Sequence, residues 1–204
     1  KMVWNETLKR DIPDGWSDAQ LGDVLSCDVE STTPGEHLKK LPYCPMDEIP
    51  IRKMSFAGGK SWEEANSSLQ LFKKKDILLG AMRVYFHRCC IASENGVTRT
   101  TTLVLKPSNC ELVGYFYQLC NEERTFIYAN RVSTGTQQPY VTWESLSTYD
   151  FPYPNNSSLI SQYNKKVEPI IDLVIANEKE ISELLNLRSY LLPLLMNGQI
   201  TIKD

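Results

Sequence analysis

The sequence predicts an α+β protein, in which a mixed domain of about 150 residues is followed by one long C-terminal helix. Three observations support this. As far as Pro154 the chain consists of short segments punctuated by Gly, Pro and aromatic residues. Two of those segments, 76–81 and 97–105, are apolar or β-branched runs of strand length. Beyond Pro152 and Pro154 the punctuation stops, and helical periodicity continues to about Met196.

Taken in order, residues 76–81 follow a lysine cluster and read as a buried strand, and residues 97–105 read as a second strand closed by Pro107. A helix is expected over 111–121, where Leu112, Tyr115, Phe116 and Leu119 recur at helical spacing. The long helix can be capped by Ser157 or Ser158, and Gly198 marks its end. With Ile160 at heptad position a, the a and d positions are Ile160, Tyr163, Val167, Ile170, Val174, Asn177, Ile181, Leu184, Arg188 and Leu191. A seam of this length predicts a helical partner, expected as an antiparallel coiled coil with Val167 to Leu191 as its interface. Pro169 predicts a kink, or a short helix followed by a longer one, and Asn177 is a polar residue of the kind that fixes register. Ile171, Ile175, Leu185 and Leu192 widen the apolar stripe, so part of the helix is also expected to pack on its own domain.

Composition narrows the class. Hydrophobic residues make up 42% and charged residues 23% of 204, as in ordinary globular domains. No apolar run approaches the ~20 residues of a membrane span, and the start carries no signal-like stretch, so no membrane partner and an intracellular location are expected. The six cysteines include no Cys-x-x-Cys pair, and His37 and His87 are the only histidines, which argues against a metal site and for free, mostly buried thiols. The chain begins with Lys1, which favours a piece of a longer protein.

The net charge of −3 hides an uneven distribution: residues 51–106 carry ten basic and four acidic side chains. A local cationic face is what phosphate neutralisation needs, whatever the total charge, although a solvated surface would show the same pattern. Catalytic motifs are missing. Gly58-Gly59-Lys60-Ser61 has the tail of a phosphate-binding loop, but Met54 stands where its first glycine belongs. There is no Gly-x-Gly-x-x-Gly, no Gly-x-Ser-x-Gly and no acidic residue two positions before a lysine. The sequence reads as a binder rather than a catalyst.

Four segments carry a resemblance to a known family. Residues 8–16, LKRDIPDGW, with LGDV at 21–24, resemble the "Ile-Pro-x-Gly-Trp … Leu-Gly-Asp" entry into the target-recognition domains of type I restriction-modification specificity subunits. Residues 72–86, FKKKDILLGAMRVYF, are similar to that family's Lys-x-Gly-Asp-Ile-Leu segment, with Lys75 in place of the usual glycine. Residues 133–139, STGTQQP, with Trp143, resemble its Ser-Thr-Gly loop, and residues 187–200 resemble its terminal Leu-Arg-x-x-Leu-Leu-Pro segment. Residues 1–6 resemble the joint between the two halves of such subunits, so the C-terminal half is the best match; a natural half-subunit that dimerises stays open.

The resemblance implies a target-recognition domain over 1–154 and a conserved helical spacer over 155–204. It also implies a role: reading one part of a bipartite site on double-stranded DNA, in the cytoplasm of a prokaryote. Implied partners are modification (methyltransferase) subunits docked on the helices, restriction (motor-nuclease) subunits, and either the other half of the specificity subunit or a homodimer mate. No cofactor is expected in this chain, because S-adenosylmethionine, ATP and Mg would belong to the partner subunits. From the residues themselves, the expected DNA contacts are Lys53, Lys60, Arg83, Tyr85, His87, Arg88 and Arg99 in the basic block, with Arg83 to Arg88 read as strand-like. Ser133, Thr134, Thr136, Gln137 and Gln138 in the loop complete the set, with glutamine suited to adenine edges. Two alternatives remain: a scaffold module with a dimerising helix that binds no DNA, and a nuclease whose site is not visible in the motifs.

Overall fold

The computed structural model describes residues 1–200, without the side chain of Cys110; residues 201–204, the last of the expected spacer, lie outside the described residues. The chain opens with a hairpin, β1 (Met2–Asn5) against β2 (Arg10–Pro13), then β3 (Trp16–Gln20), a single helical turn α1 (Leu21–Val24) and β4 (Leu25–Ser26). Short strands β5 (Ser31–Thr32) and β6 (Ser55–Phe56) precede the central run of β7 (Leu69–Phe72), β8 (Ile77–Gly80), β9 (Cys89–Ala92), β10 (Gly96–Thr98) and β11 (Thr102–Pro107). Three helices follow, α2 (Val113–Asn121), α3 (Glu123–Val132) and α4 (Trp143–Ser147), then β12 (Asp150–Pro154) and the long helix α5 (Ser157–Met196).

A five-stranded sheet of order β4-β11-β8-β9-β6 forms the centre, antiparallel except for the β6–β9 pair. Strands β8 and β9 are apolar along their whole length, and all four residues of each are buried. Strands covered on both faces read as continuous apolar runs rather than alternating ones. One face packs Ile77, Leu79, Cys89, Ile91, Leu103 and Leu105 into the main core with Phe116, Phe126 and Leu146 from the helices. The other packs Leu78, Cys90 and Val104 with Ile49 and Phe72. The expected strand over 97–105 is two strands, because residues 99–101 turn between β10 and β11.

The long helix is continuous over 40 residues, about 60 Å at the usual rise, with Pro169 and Pro193 inside it. Pro169 therefore does not split it into two helices. Its cap is Asn156, whose side chain accepts from the Ser158 amide at 3.0 Å, one residue before the expected serines. Gly198, at φ 66°, follows the last turn.

The inner face of α5 is Ile160, Asn164, Ile171 and Ile175, all buried, with Val167 half-buried against the main core. This stripe is rotated from the expected seam. Val167, expected at the partner interface, packs on its own domain, whereas Ile170, Ile181 and Leu184 are exposed, as are Asn177 and Arg188. Apolar doublets at 170–171, 174–175, 184–185 and 191–192 give the helix two apolar faces, so periodicity could not choose between them.

Asn164 fixes the docking. The residue before α2, Leu112, offers no side-chain cap; instead Asn164 Oδ1 accepts from the Gly114 and Tyr115 amides (2.9 and 3.3 Å), and its Nδ2 donates to the Glu111 carbonyl. Helix N-termini leave such amides without partners, and here a distant helix supplies the acceptor. A Cβ at Gly114 would lie 2.8 Å from Asn164 Oδ1 and 3.1 Å from Val167, so only glycine lets the helices approach this closely. Nearby, Lys75 Nζ pairs with Glu168 and Asp172 of α5 at 2.8 and 3.1 Å. Burial disfavours the Lys75 ammonium, but the two carboxylates outweigh burial and hold its pKa above the ordinary value. Asn164→Ala is expected to cost about 2 kcal/mol, through lost capping and orphaned buried amides. Thermal unfolding checks this, with a fall in Tm of about 4–8 °C expected and an unchanged Tm counting against the cap.

Candidate nucleic-acid interface

Three segments meet at one end of the central sheet: the 81–88 connection after β8, the 99–101 turn and the 133–141 loop. The Ala81 amide donates to the Thr101 carbonyl and the Val141 amide to the Ala81 carbonyl, both at 2.9 Å. The Arg83 amide donates to the Pro139 carbonyl at 2.7 Å, and the Tyr140 hydroxyl to the Thr100 carbonyl at 3.0 Å. Bridges from Tyr140 to Met82 and to Thr134 close the arrangement. The Arg52 amide, donating to the His87 carbonyl at 3.1 Å, brings residues 51–53 alongside. The 133–141 loop turns at Gly135, φ 93°, a conformation that favours glycine and explains the Ser-Thr-Gly sequence.

Eight of the expected contact residues lie on this cluster. Lys53, Tyr85, Arg99, Thr134, Thr136, Gln137 and Gln138 are exposed, and Arg83 is half-buried with its Nε enclosed and unpaired. Cations, amides and hydroxyls presented together from these four segments can contact phosphates and base edges.

The other four are placed differently. The strand expected over 83–88 is a 3-10 turn, Val84–Phe86, flanked by Arg83 and His87 in left-handed conformations at φ 52° and 54°. For non-glycine residues such backbone costs about 1–2 kcal/mol each and requires support. His87 supplies it from the interior. The ring is 4% exposed, stacks on Phe126 at 3.7 Å and bonds through Nε2 to the carbonyl and side-chain oxygens of Asn121. Arg88 is a loop anchor, bonding through Nη1 to the carbonyls of Asp47 and Ile49. Ser133 donates to the Ala129 carbonyl at 2.7 Å and finishes α3. Lys60 lies on a separate segment bridged to Tyr43, between Glu48 at 3.5 Å and Glu64 at 3.8 Å.

Sequence reasoning overlooked Phe86, exposed beside Tyr85, and Arg131, exposed beside the ring of Tyr128 at 5.0 Å. It also missed Arg52, which pairs with Glu123 at 2.5 Å and, by that bond, holds the carboxyl below its ordinary pKa. Adjacent aromatics in an arginine-flanked run were the available signal for Phe86. The five cysteines with described side chains are free, and four of them are buried. Burial pushes Cys44 and Cys120 up to about 12 and Cys89, Cys90 and Cys27 upward, so these thiols are protonated at neutral pH. A cavity of about 720 Å³ between β2, β3, α2, β12 and the start of α5, lined by Trp16, Tyr115 and Tyr163, includes none of the expected contact residues.

No family model matches the chain. A curated relative, the MjaIX type I restriction enzyme specificity subunit of Methanocaldococcus jannaschii, is 22% identical over all of this chain and 49% of its own length. The HsdS subunit from Thermoanaerobacter tengcongensis superposes with a TM-score of 0.61 at 18% identity, covering 93% of this chain and 49% of that one. This chain therefore shares the fold of one half of that HsdS subunit. A second solved chain, from a type I restriction-modification system described for its complex assembly and conformational transition, gives 0.50 at 16% identity over 91% of this chain and 46% of its own. The chain thus spans about half the length of the specificity subunits it matches, and no helix among the described residues is long and apolar enough to cross a membrane.

Within this half-subunit fold the buried and exposed candidates should separate experimentally. His87→Ala is expected to lower stability by about 2–3 kcal/mol, having removed a buried stacked ring, whereas Arg99→Ala should stay within about 0.5 kcal/mol. Denaturant unfolding measures both, and equal effects would contradict the assignment of His87 to the scaffold.

Proposed function

We propose that this chain is a sequence-specific DNA-recognition module, acting as one half of a type I specificity subunit and reading one part of a bipartite duplex site. The observation that carries the proposal is the convergence of exposed Lys53, Arg99, Gln137 and Gln138 on one loop cluster, in a fold shared with specificity subunits. Lysine and arginine would neutralise phosphates, and the glutamines would read adenine edges. Catalysis is left to other chains: modification subunits dock on α5 and restriction subunits join through the assembly, and S-adenosylmethionine, ATP and Mg serve those subunits. The site of action is the cytoplasm of a prokaryotic cell.

The exposed apolar face of α5 supports a helical mate. Ile170, Leu173, Ile181 and Leu184 are each half or more exposed, a row that an isolated helix would not keep in water. An antiparallel coiled coil with the other half of a specificity subunit, or with a second copy, would cover it.

Enrichment of bound duplexes from a random-sequence pool tests the recognition reading. Binding should weaken steeply with salt, and Gln137→Ala should change the preferred sequence by about 1–3 kcal/mol of discrimination. An identical preference in the variant would remove Gln137 from the site, and duplex binding that is absent or insensitive to salt would favour a scaffold module. Separately, Ile181→Ser with Leu184→Ser should weaken helix association about tenfold or more in sedimentation while leaving the melting of the chain unchanged. Unaltered association would refute this face as the interface.

A further inference from the structure

The Val84–Phe86 turn is built to hold two aromatic rings outward. Val84 is buried, while Tyr85 is 56% and Phe86 38% exposed, their ring centroids 4.8 Å apart. Both flanking residues are non-glycines in left-handed conformations, and both are held from behind. The Arg83 amide is tied to the Pro139 carbonyl, and His87 is tied to Asn121 and stacked on Phe126. The Arg88 guanidinium lies 5.9 Å from the Phe86 ring centroid. Strain maintained by this many contacts marks a conformation kept for use, and its product is a rigid pair of exposed rings. The loops joined to the turn carry Lys53, Arg99, Gln137 and Gln138, so the rings stand among groups suited to phosphates and base edges.

We propose that Tyr85 and Phe86 form an aromatic wedge that enters one base step of the bound duplex, partly unstacking it and stacking on the base it exposes. The proposal rests on the DNA-recognition reading above and names what that site does to its target. Apolar side chains inserted at base steps distort the duplex, and the energy of that distortion depends on the step, so the wedge would add sequence selectivity without hydrogen bonds. A single aromatic on a flexible loop would lose conformational freedom on insertion; this pair is held in place beforehand.

Duplexes enriched by the 204-residue chain, each labelled with 2-aminopurine at one position in turn, test the wedge. Wild-type chain should raise fluorescence at one step. Tyr85→Ala with Phe86→Ala should abolish that rise and weaken binding about 10- to 100-fold, with the slope of affinity against salt unchanged because no phosphate contact is lost. Tyr85→Phe should keep the signal. Tyr85→Ala alone, a change at the most exposed ring, should melt as wild type does and show a partial loss, which separates the effect from misfolding. Wild-type binding without a fluorescence rise at any position, or a double variant that binds and signals like wild type, overturns the wedge and leaves DNA recognition standing. No duplex binding by the wild-type chain overturns both.

Discussion

Asn164 meets two needs at once: it caps a helix whose own sequence provides no cap, and it locks the long helix to the domain that carries the loops. Its position inside an otherwise apolar stripe makes it directional. Ile160, Ile171 and Ile175 would tolerate a small sliding of α5 along the domain, because hydrophobic contact is not directional, whereas three hydrogen bonds to the start of α2 would not. Lys75 reinforces the same register from the sheet side through Glu168 and Asp172. Under the proposed role, a spacer could set the distance between two recognition domains only if fixed rigidly to each, and this junction would fix it here.

The same helix then changes character along its length. Its first half faces the core with one stripe, and from about Asn177 onward nearly every apolar residue is solvent-exposed. One apolar face docks the helix to its own domain, and the other is the face proposed above to pair with a helical mate. The loop cluster, by contrast, is polar and cationic at its surface and rigid underneath, with His87, Arg88 and Ser133 spent on holding the backbone.

Much of this was legible from the residues, and the failures have physical causes. The division into an α+β part and a long helix followed from a change in periodicity, and α2, β8 and the end of α5 from apolar spacing and punctuation. Of the heptad seam expected to meet a partner, Ile160 and Val167 face the domain instead, because the apolar doublets satisfy both faces of the helix. His87 and Arg88 looked like surface readers because a basic residue in a short motif carries no sign of burial, and a 3-10 turn with left-handed flanks has no periodic signature. Asn164 was invisible for a related reason: its partners lie some fifty residues away. Lys75 was noticed as a departure from a glycine, and the structure supplies the cause of that glycine, since the position is at φ 72°. Here the lysine accepts the strained backbone and adds an ion pair to the helix.

The central claim is that the loop cluster at the end of the sheet reads DNA sequence while the helix positions it. The most direct test maps methylated positions on DNA treated with a complex reconstituted around this chain, in parallel with a chain whose residues 133–141 are replaced by a Gly/Ser linker of equal length. A discontinuous site in which one part is lost or altered and the other retained is the predicted result. A site identical for both chains would contradict the account.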